Sequence, residues 1–297
     1  MKITDFVTLL AATVLMLASS NTALANTSAN TQNSTTTATS NTKVTKPAPV
    51  ATTPDFNISV SISRSTSLID FQDGTRSDSM DYSVSPSLKV SFGTFSTVLA
   101  YSQNLRDEYT KTASDWSDIP VSFSFNSTKF KLTDEQNARI SYSLTAVIPN
   151  SQYSVKKDQL QTSLSGKIGF SVAPIGDGFS YGVGVSLGRN FHAYEEDING
   201  SVLNQYSSNQ SLSLGYGMGD WSIGADFINR TRLTYKGNTK SSFEISEELG
   251  YSVSEHFSVA IGHSNGGSTL KPNGTDSNID IYNENNSTVY GSLGLSY

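Results

Sequence analysis

The sequence predicts an all-β protein, a closed antiparallel up-and-down barrel of about twelve strands that crosses a membrane. Two patterns carry this prediction. From Phe56 onward, segments of roughly ten residues alternate apolar and polar side chains, and this is the length that a tilted strand needs to cross a bilayer. The connections between segments alternate between short and long, as in barrels with one short-turn end and one long-loop end. A single barrel domain is therefore expected over residues 55–297.

The average composition conceals this architecture. The chain has 297 residues, of which 36% are hydrophobic and 15% are charged. These averages resemble those of a polar soluble protein, because only every second residue of a barrel strand meets lipid. Acidic residues outnumber basic ones by 26 to 20, which argues against nucleic acid as a partner. Cysteine is absent, which excludes disulfides and a lipoprotein anchor.

Two N-terminal segments precede the predicted barrel. Residues 1–25 have the pattern of a secretory signal peptide, with Lys2 at the start, an apolar core over residues 7–18 and a small-x-small sequence at residues 23–25. A core of about 12 residues is short for a membrane helix, so cleavage is expected after residue 25. Residues 26–54 are rich in Ser, Thr and Asn and are predicted to be a disordered leader.

Each predicted strand has one apolar face. In the first strand, Phe56, Ile58, Val60 and Ile62 share a face, while serine and asparagine occupy the other. The apolar faces of the later strands begin near residues 80, 95, 119, 138, 160, 179, 212, 221, 243, 257 and 289. The fourth strand changes phase before Phe130, which predicts a bulge.

The predicted connections between the strands are alternately short and long. Short connections are predicted at 93–94, 133–137, 173–178, 219–220 and 254–256, and longer ones at 70–79, 106–118, 149–158, 192–206, 233–241 and 265–286. Aromatic residues gather beside the short turns, as in an interfacial girdle.

Two residues are irregular within the strand pattern. Pro86 removes a hydrogen-bond donor from the second strand. Glu247 falls on an apolar face, and because a bare carboxylate in lipid is costly, a bulge or a register shift is expected there.

The last segment, residues 287–297, alternates up to a terminal aromatic residue. Val289, Leu293, Leu295 and Tyr297 share its apolar face. This segment resembles the C-terminal strand of bacterial outer-membrane β-barrels, and the resemblance extends over about 240 residues without pointing to one porin family. It implies that Tyr297 is an insertion signal read by the barrel-assembly machinery. It also implies a location in the bacterial outer membrane after signal-peptide cleavage, with membrane lipid and lipopolysaccharide as partners.

A soluble β-sandwich or lipocalin-like barrel is the alternative fold, because its strands also have one apolar face. That fold would place the apolar face inside and the Ser and Gly face outside. It explains neither the alternating loop lengths nor the combination of an N-terminal leader with a terminal aromatic residue. The membrane barrel is therefore the preferred prediction.

The inward face of a membrane barrel with this sequence is expected to be wet. Small polar residues dominate it, and about twelve strands exceed the roughly eight whose side chains fill a barrel interior. Its charges form two groups, Lys131, Arg139 and Lys167 on strands four to six and Asp226, Glu244 and Glu248 on strands nine and ten, with Arg230 and Arg232 toward the outer rim. Opposed walls would set ion selectivity through a transverse field. Alternatively, the charges pair with one another and only stiffen the barrel.

The predicted function is a porin-like channel for passive diffusion of small hydrophilic solutes or ions. The alternative is a non-conducting surface barrel with a structural or an adhesin-like, loop-binding role. No enzyme activity and no cofactor are predicted. Acidic residues of two outer loops, Glu195, Glu196 and Asp197 in one and Asp276 and Asp280 in the other, match no known calcium-loop spacing, so no metal site is predicted either.

One short motif points to a less expected enzyme. His263-Ser264-Asn265-Gly266 looks like a fragment of the His-x-Ser-Asn-Gly signature of outer-membrane phospholipase A and lipid A deacylases. In those lipid hydrolases the His and Ser are two positions apart and share one face. Here they are adjacent, and adjacent residues of a strand point to opposite faces, so they could not exchange a proton without a bulge. A polar strand-to-loop transition is the preferred interpretation.

Overall fold

The computed structural model describes residues 55–69, 76–106, 114–133, 136–174, 177–271 and 273–297. The predicted signal peptide, residues 1–25, and the predicted leader, residues 26–54, lie outside the described residues. Within them, no helix has the length and apolar character needed to cross a membrane. A five-residue π-helical turn, Tyr153–Lys157, lies in one of the long loops.

Twelve antiparallel strands follow one another around a closed barrel in chain order, which confirms the predicted fold class. They are β1 (Asp55–Ser67), β2 (Asp78–Val90), β3 (Gly93–Thr97 and Leu99–Asn104), β4 (Asp115–Trp116, Ile119–Phe125 and Thr128–Thr133), β5 (Gln136–Ile148), β6 (Leu160–Pro174), β7 (Gly178–His192), β8 (Asn204–Met218), β9 (Trp221–Thr234), β10 (Thr239–Ser252), β11 (Phe257–Ser268) and β12 (Thr288–Ser296). The pairing of β1 with β12 closes the circle.

The apolar faces of the strands point outward. In the described part of the chain only four hydrophobic residues are buried, namely Ala138, Val172, Leu203 and Phe243. In contrast, Leu144, Leu187 and Ile261 each expose more than half of their surface. A soluble barrel would bury such side chains, because their exposure to water is unfavourable by about 1.5–3 kcal/mol each. The soluble alternative is therefore wrong, and the outer wall suits lipid.

The chain end forms the seam between β1 and β12. The backbone N–H of Ile58 donates to the carbonyl of Tyr297 at 2.8 Å, and the N–H of Tyr297 donates to the carbonyl of Ile58 at 2.9 Å. The Tyr297 ring stacks on His256 with ring centroids 5.0 Å apart. The terminal aromatic residue thus lies at the short-turn end, on the last pair of backbone hydrogen bonds that close the barrel.

Among the predicted connections whose bounds differ from those in the structure, two have a clear local cause. The turn expected at Gly93 and Thr94 lies two residues earlier, because both residues already pair in β3. A Cβ at Gly93 would lie 2.4 Å from the carbonyl oxygen of Ser124, so this close strand contact requires glycine. The connection predicted over residues 233–241 is a short one at residues 235–238, because β9 and β10 extend further than their apolar alternation.

The two irregular strands have local causes. The β2–β3 ladder is interrupted between Ser96 and Leu99. The gap lies opposite Ser85 and Pro86, and Pro86 has no N–H to donate. In β4, residues 126–127 interrupt the strand. Because of this interruption, Phe125 and Thr128 both face lipid although they are three residues apart. The phase change that the sequence predicted in the fourth strand is confirmed.

Glu247 faces lipid in an unbroken register, which contradicts the expected bulge or shift. It pairs with Ala225 on β9 and with His263 on β11, and the ladder continues on both sides. His263 Nδ1 lies 2.9 Å from Glu247 Oε2. The carboxylate is therefore not bare, because a histidine on the neighbouring strand supplies a hydrogen-bond donor.

Candidate functional site

The lumen is lined by small hydroxyl side chains that bond across neighbouring strands. Ser61 and Ser83 lie 2.7 Å apart at their Oγ atoms, and Ser65 and Ser79 lie 2.8 Å apart. Further around the barrel, between β4 and β5, Ser122 Oγ lies 2.8 Å from the hydroxyl of Thr145. These pairs result from the period-two alternation, which places the paired hydroxyl side chains of neighbouring strands on one face. The lining is therefore polar.

The predicted positive wall lies on this lumen face. Cross-strand partners place Arg139 beside Ser171, Lys131 beside Asn137 and Lys167 between Ser143 and Ser186. Within the described residues, none of the three cations forms an ion pair. Their charges are therefore available to a solute or an ion in the lumen.

Two further cations extend the positive wall. Lys129 pairs with Arg139 across β4 and β5, and Lys89 pairs with Thr94 across β2 and β3, so both face the lumen. Sequence reasoning missed Lys129 because the phase change in β4 concealed its face. The face of Lys89 was readable from its apolar neighbours Leu88 and Val90. Both lysines lie near the short-turn end.

The predicted acidic wall also faces the lumen, and one of its members is paired. Glu244 Oε2 accepts a hydrogen bond of 2.6 Å from Arg230 Nη2. Glu248 accepts a hydrogen bond of 3.1 Å from the Tyr290 hydroxyl. Asp226, beside Ser213 and Ser246, has no ion-pair partner within the described residues. Among the predicted charges, only Arg230 and Glu244 form an ion pair with a partner in the described part of the chain.

The lumen face also contains Arg232, Tyr290 and Asp81. Arg232 faces the lumen beside Ser207 and Lys240, two residues further along β9 than Arg230. Tyr290 lies so close over Gly262 that a Cβ there would be 2.3 Å from the tyrosine Cζ. Asp81 on β2 also faces the lumen and accepts a hydrogen bond from Ser79 Oγ at 3.2 Å. The alternation placed Tyr290 and Asp81 on the inward face, but no charge group in the sequence singled them out.

Loops at the long-loop end are fastened to one another. The Asp118 carboxylate accepts backbone hydrogen bonds of 2.9 Å from Asn150 and from Ser151, and it also accepts from Ser154 Oγ. Lys157 lies 3.8 Å from Asp197, whose carboxylate accepts backbone hydrogen bonds within its own loop. No group of metal-ligating side chains occurs among the described residues. The carboxylates of Asp118 and Asp197 thus order the rim.

Asp158 lies in this rim, and burial raises its pKa from 3.8 to about 6. Lys157 opposes the shift, while the nearby carboxylates Asp197 and Asp118 add to it. The folded loop therefore binds a proton more tightly than the unfolded loop does. The sign follows from linkage: stability is greatest when Asp158 is protonated, and it is lost as the pH rises from about 4 to about 6.

We expect Asp158→Asn to stabilise the loop at pH 8, on the order of 1 kcal/mol after allowance for the partial exposure of the carboxylate. Hydrogen–deuterium exchange of residues 150–159, corrected for intrinsic rates, measures this effect. The parent loop should be better protected at pH 5 than at pH 8, whereas the variant should show no such difference. Glu284→Gln, in an exposed loop, is the control. Equal pH dependence in parent and Asp158→Asn would contradict the assignment.

The hydrolase-like motif is split between the two faces of β11. Ser264 faces the lumen beside Ser246 and Thr288, whereas His263 faces lipid beside Glu247. The opposite-face expectation is therefore confirmed, and the register between Ser242 and Ser252 on β10 contains no bulge. On the face of His263, the next side chain is Asn265, which is buried and donates to the carbonyl of Asp280 at 2.6 Å. This arrangement does not join His263 to a nucleophilic hydroxyl.

Comparison with solved structures agrees with the barrel geometry. An outer-membrane channel from Pseudomonas putida F1 superposes with a TM-score of 0.54 at 8% identity, over 82% of this chain and 95% of that chain. The NanC porin gives 0.47 at 12% identity, over 81% and 98%, and the KdgM porin gives 0.45 at 8% identity, over 80% and 99%. No protein-family model and no curated protein sequence matches the chain. At this identity the likeness concerns the fold, and the chain has the fold of a bacterial outer-membrane β-barrel.

Proposed function

We propose that this protein is a porin-like channel of the bacterial outer membrane that passes small hydrophilic solutes or ions by diffusion. The observation that carries this proposal is the lumen face, where small hydroxyl residues surround the charges of Lys131, Arg139 and Lys167, none of which has an ion-pair partner among the residues that the structure describes. A barrel that only needed rigidity would pair those charges, because an unpaired charge away from bulk water is costly. The fold likeness to outer-membrane channels supports the proposal.

The two charged walls give the proposed channel a means of selection. Lys131, Arg139 and Lys167 belong to β4, β5 and β6, and the acids belong to β9 and β10. Two strands separate the groups on one side of the barrel and five on the other, so the groups face each other obliquely across the lumen. The electric field between the two charged groups orients dipolar or zwitterionic solutes and sets the preference between anions and cations.

Single-channel conductance of the refolded protein in planar bilayers tests the proposal. We expect discrete conductance steps that fall sharply in Ser213→Trp, where a bulky ring enters the lumen from β8. Leu214→Trp is the matched control, because its ring lies one residue away on the lipid face. Silent bilayers, or equal conductance in both variants, would contradict a pore through this lumen. Silent bilayers together with loop-dependent binding to cells would favour the surface-barrel alternative.

We also propose that the route to the membrane follows the predicted signals, namely cleavage after residue 25 and recognition of Tyr297 by the barrel-assembly machinery. In support, Tyr297 lies on the closing seam at the short-turn end. Tyr297→Ala should reduce the amount of heat-modifiable barrel in cell membranes while leaving refolding from urea unchanged. The control is Tyr216→Ala, which removes an exposed aromatic residue close to the short turn between β8 and β9. A parallel loss in cells and in refolding would show a structural role instead.

A further inference from the structure

An oblique apolar groove crosses the lipid-facing wall from β3 to β8. Its volume is about 650 Å³, within the usual range of roughly 300–1,000 Å³ for ligand sites. The side chains that line most of its length are Phe95, Phe123, Leu144, Leu164 and Leu187. At one end the lining includes Arg189 and Tyr206. The groove is therefore apolar along its length and cationic at one end.

The groove exists because a glycine interrupts a row of large side chains. Phe95, Phe123 and Leu144 are successive cross-strand partners, and the row continues through Gly166 to Leu187. A Cβ at Gly166 would meet only ordinary contacts, the nearest being Leu144 Cδ2 at 3.5 Å. The backbone of β6 thus has room for a side chain at this point. Its absence leaves the floor of the groove open to an acyl chain.

Arg189 closes the groove near the long-loop end of the barrel. It lies three residues before the end of β7, opposite Tyr206 on β8. Its guanidinium carbon lies 4.8 Å from the centroid of the Phe191 ring and 5.4 Å from that of Tyr206. In the described chain no carboxylate forms an ion pair with it. The cation is held between aromatic rings at the membrane boundary, with its hydrogen-bond donors free of an acidic partner.

A second outward arginine provides a contrast within the same barrel. Arg64 on β1 lies beside an outward glycine, Gly291 on β12, on the opposite side of the barrel. Its guanidinium pairs with the Asp78 carboxylate at 3.0 Å. The barrel thus neutralises Arg64, whereas Arg189, beside the groove, has no ion-pair partner in the part of the chain that the structure describes.

We propose that this groove binds a phosphorylated glycolipid of the outer leaflet, of the lipid A type. One acyl chain lies over Gly166, and a phosphate lies against the guanidinium of Arg189. Arginine suits this role because its planar fork donates two parallel hydrogen bonds to phosphate oxygens. Apolar contact alone does not select one lipid from another, since bulk lipid tails are equally apolar. Selection therefore comes from the charge at the groove end and from the shape over Gly166. The proposal does not depend on whether the lumen conducts.

Native mass spectrometry of the refolded protein with three probes tests the proposal. The probes are lipid A carrying both phosphates, the same lipid after dephosphorylation, and phosphatidylglycerol. We expect the bisphosphorylated lipid to bind best and Arg189→Gln to weaken its binding about tenfold or more, the usual value of a charge-assisted pair. Gly166→Leu, which fills the groove, should weaken it as well. Arg64→Gln and Gly291→Leu are matched controls that should bind as the parent does, and heat-modifiability on gels checks that every variant is folded.

Each outcome bears on a separate part of the proposal. Equal weakening by Arg64→Gln would show general surface charge rather than this site. Unchanged binding in Arg189→Gln, or equal binding of dephosphorylated lipid, would overturn the phosphate contact. Binding of phosphatidylglycerol as tight as that of bisphosphorylated lipid A would overturn the choice of glycolipid. Unchanged binding in Gly166→Leu would remove the groove from the site.

Discussion

Reversal of the positive wall, by Lys131→Glu, Arg139→Glu and Lys167→Glu together, should raise the concentration of cations in the lumen about fivefold and lower that of anions by about the same factor. The three side chains face the lumen and have no ion-pair partner within the described residues. Reversal changes the lumen charge by six units without touching the lipid face. The folded barrel should therefore persist while its selectivity changes.

The magnitude follows from Coulomb's law in water. A unit charge at roughly 10 Å contributes about 0.4 kcal/mol, so six units give about 2.5 kcal/mol before screening. At 0.1 M salt the Debye length is also about 10 Å, and this reduces the energy to about 0.9 kcal/mol, or about fivefold. In a narrow lumen the local dielectric constant is lower than in bulk water, and this would enlarge the effect.

Reversal potentials in a salt gradient measure this change. The exchanged pair Arg230→Glu with Glu244→Arg is the control, because it preserves both the net charge and the ion pair of the lumen. We expect its reversal potential to match the parent. An unchanged potential in the triple variant would mean that permeating ions do not pass this wall.

Loss of the histidine partner on the lipid face should destabilise the barrel strongly. In His263→Leu, Glu247 retains its outward position but loses the hydrogen bond of 2.9 Å, which leaves a carboxylate facing hydrocarbon. We expect the free energy of unfolding to fall by about 2 kcal/mol or more. The double variant Glu247→Leu with His263→Leu should recover to within about 1 kcal/mol of the parent or exceed it, because no charge then remains in lipid.

Urea unfolding in lipid vesicles, followed through the fluorescence of the two tryptophans, measures both variants. Glu248→Gln is the control, because its carboxylate is the next along β10 but faces the lumen and Tyr290. We expect this control to change the stability by less than about 1 kcal/mol. A stable His263→Leu single variant would mean that Glu247 is not held at the lipid face.

Much of the fold could be predicted because a strand fixes the face of each residue by period two. For this reason the eight predicted lumen charges all lie on the inward face. The same rule correctly separated His263 from Ser264. The prediction failed where two backbones approach closely, as at Gly93, and where strands continue beyond their apolar alternation, as on both sides of the turn at residues 235–238.

Pairing between side chains could not be read from the chain. Glu247 and His263 are 16 residues apart and meet only because β10 and β11 adopt one register. Arg64 and Arg189 look alike in sequence, yet of the two only Arg64 forms an ion pair within the described residues. The groove over Gly166 requires side chains of six strands, and one glycine on an apolar face carries no signal of that neighbourhood.

The sequence by itself determined that this protein is a barrel with an apolar outer face and a polar inner face, since alternation assigns each side chain to a face without reference to any other strand. The tertiary structure decided which charges are neutralised, which remain available in the lumen and where the lipid face is indented. The reason is physical: contacts across strands depend on the register of every pair, and the closure of the whole ring fixes those registers together.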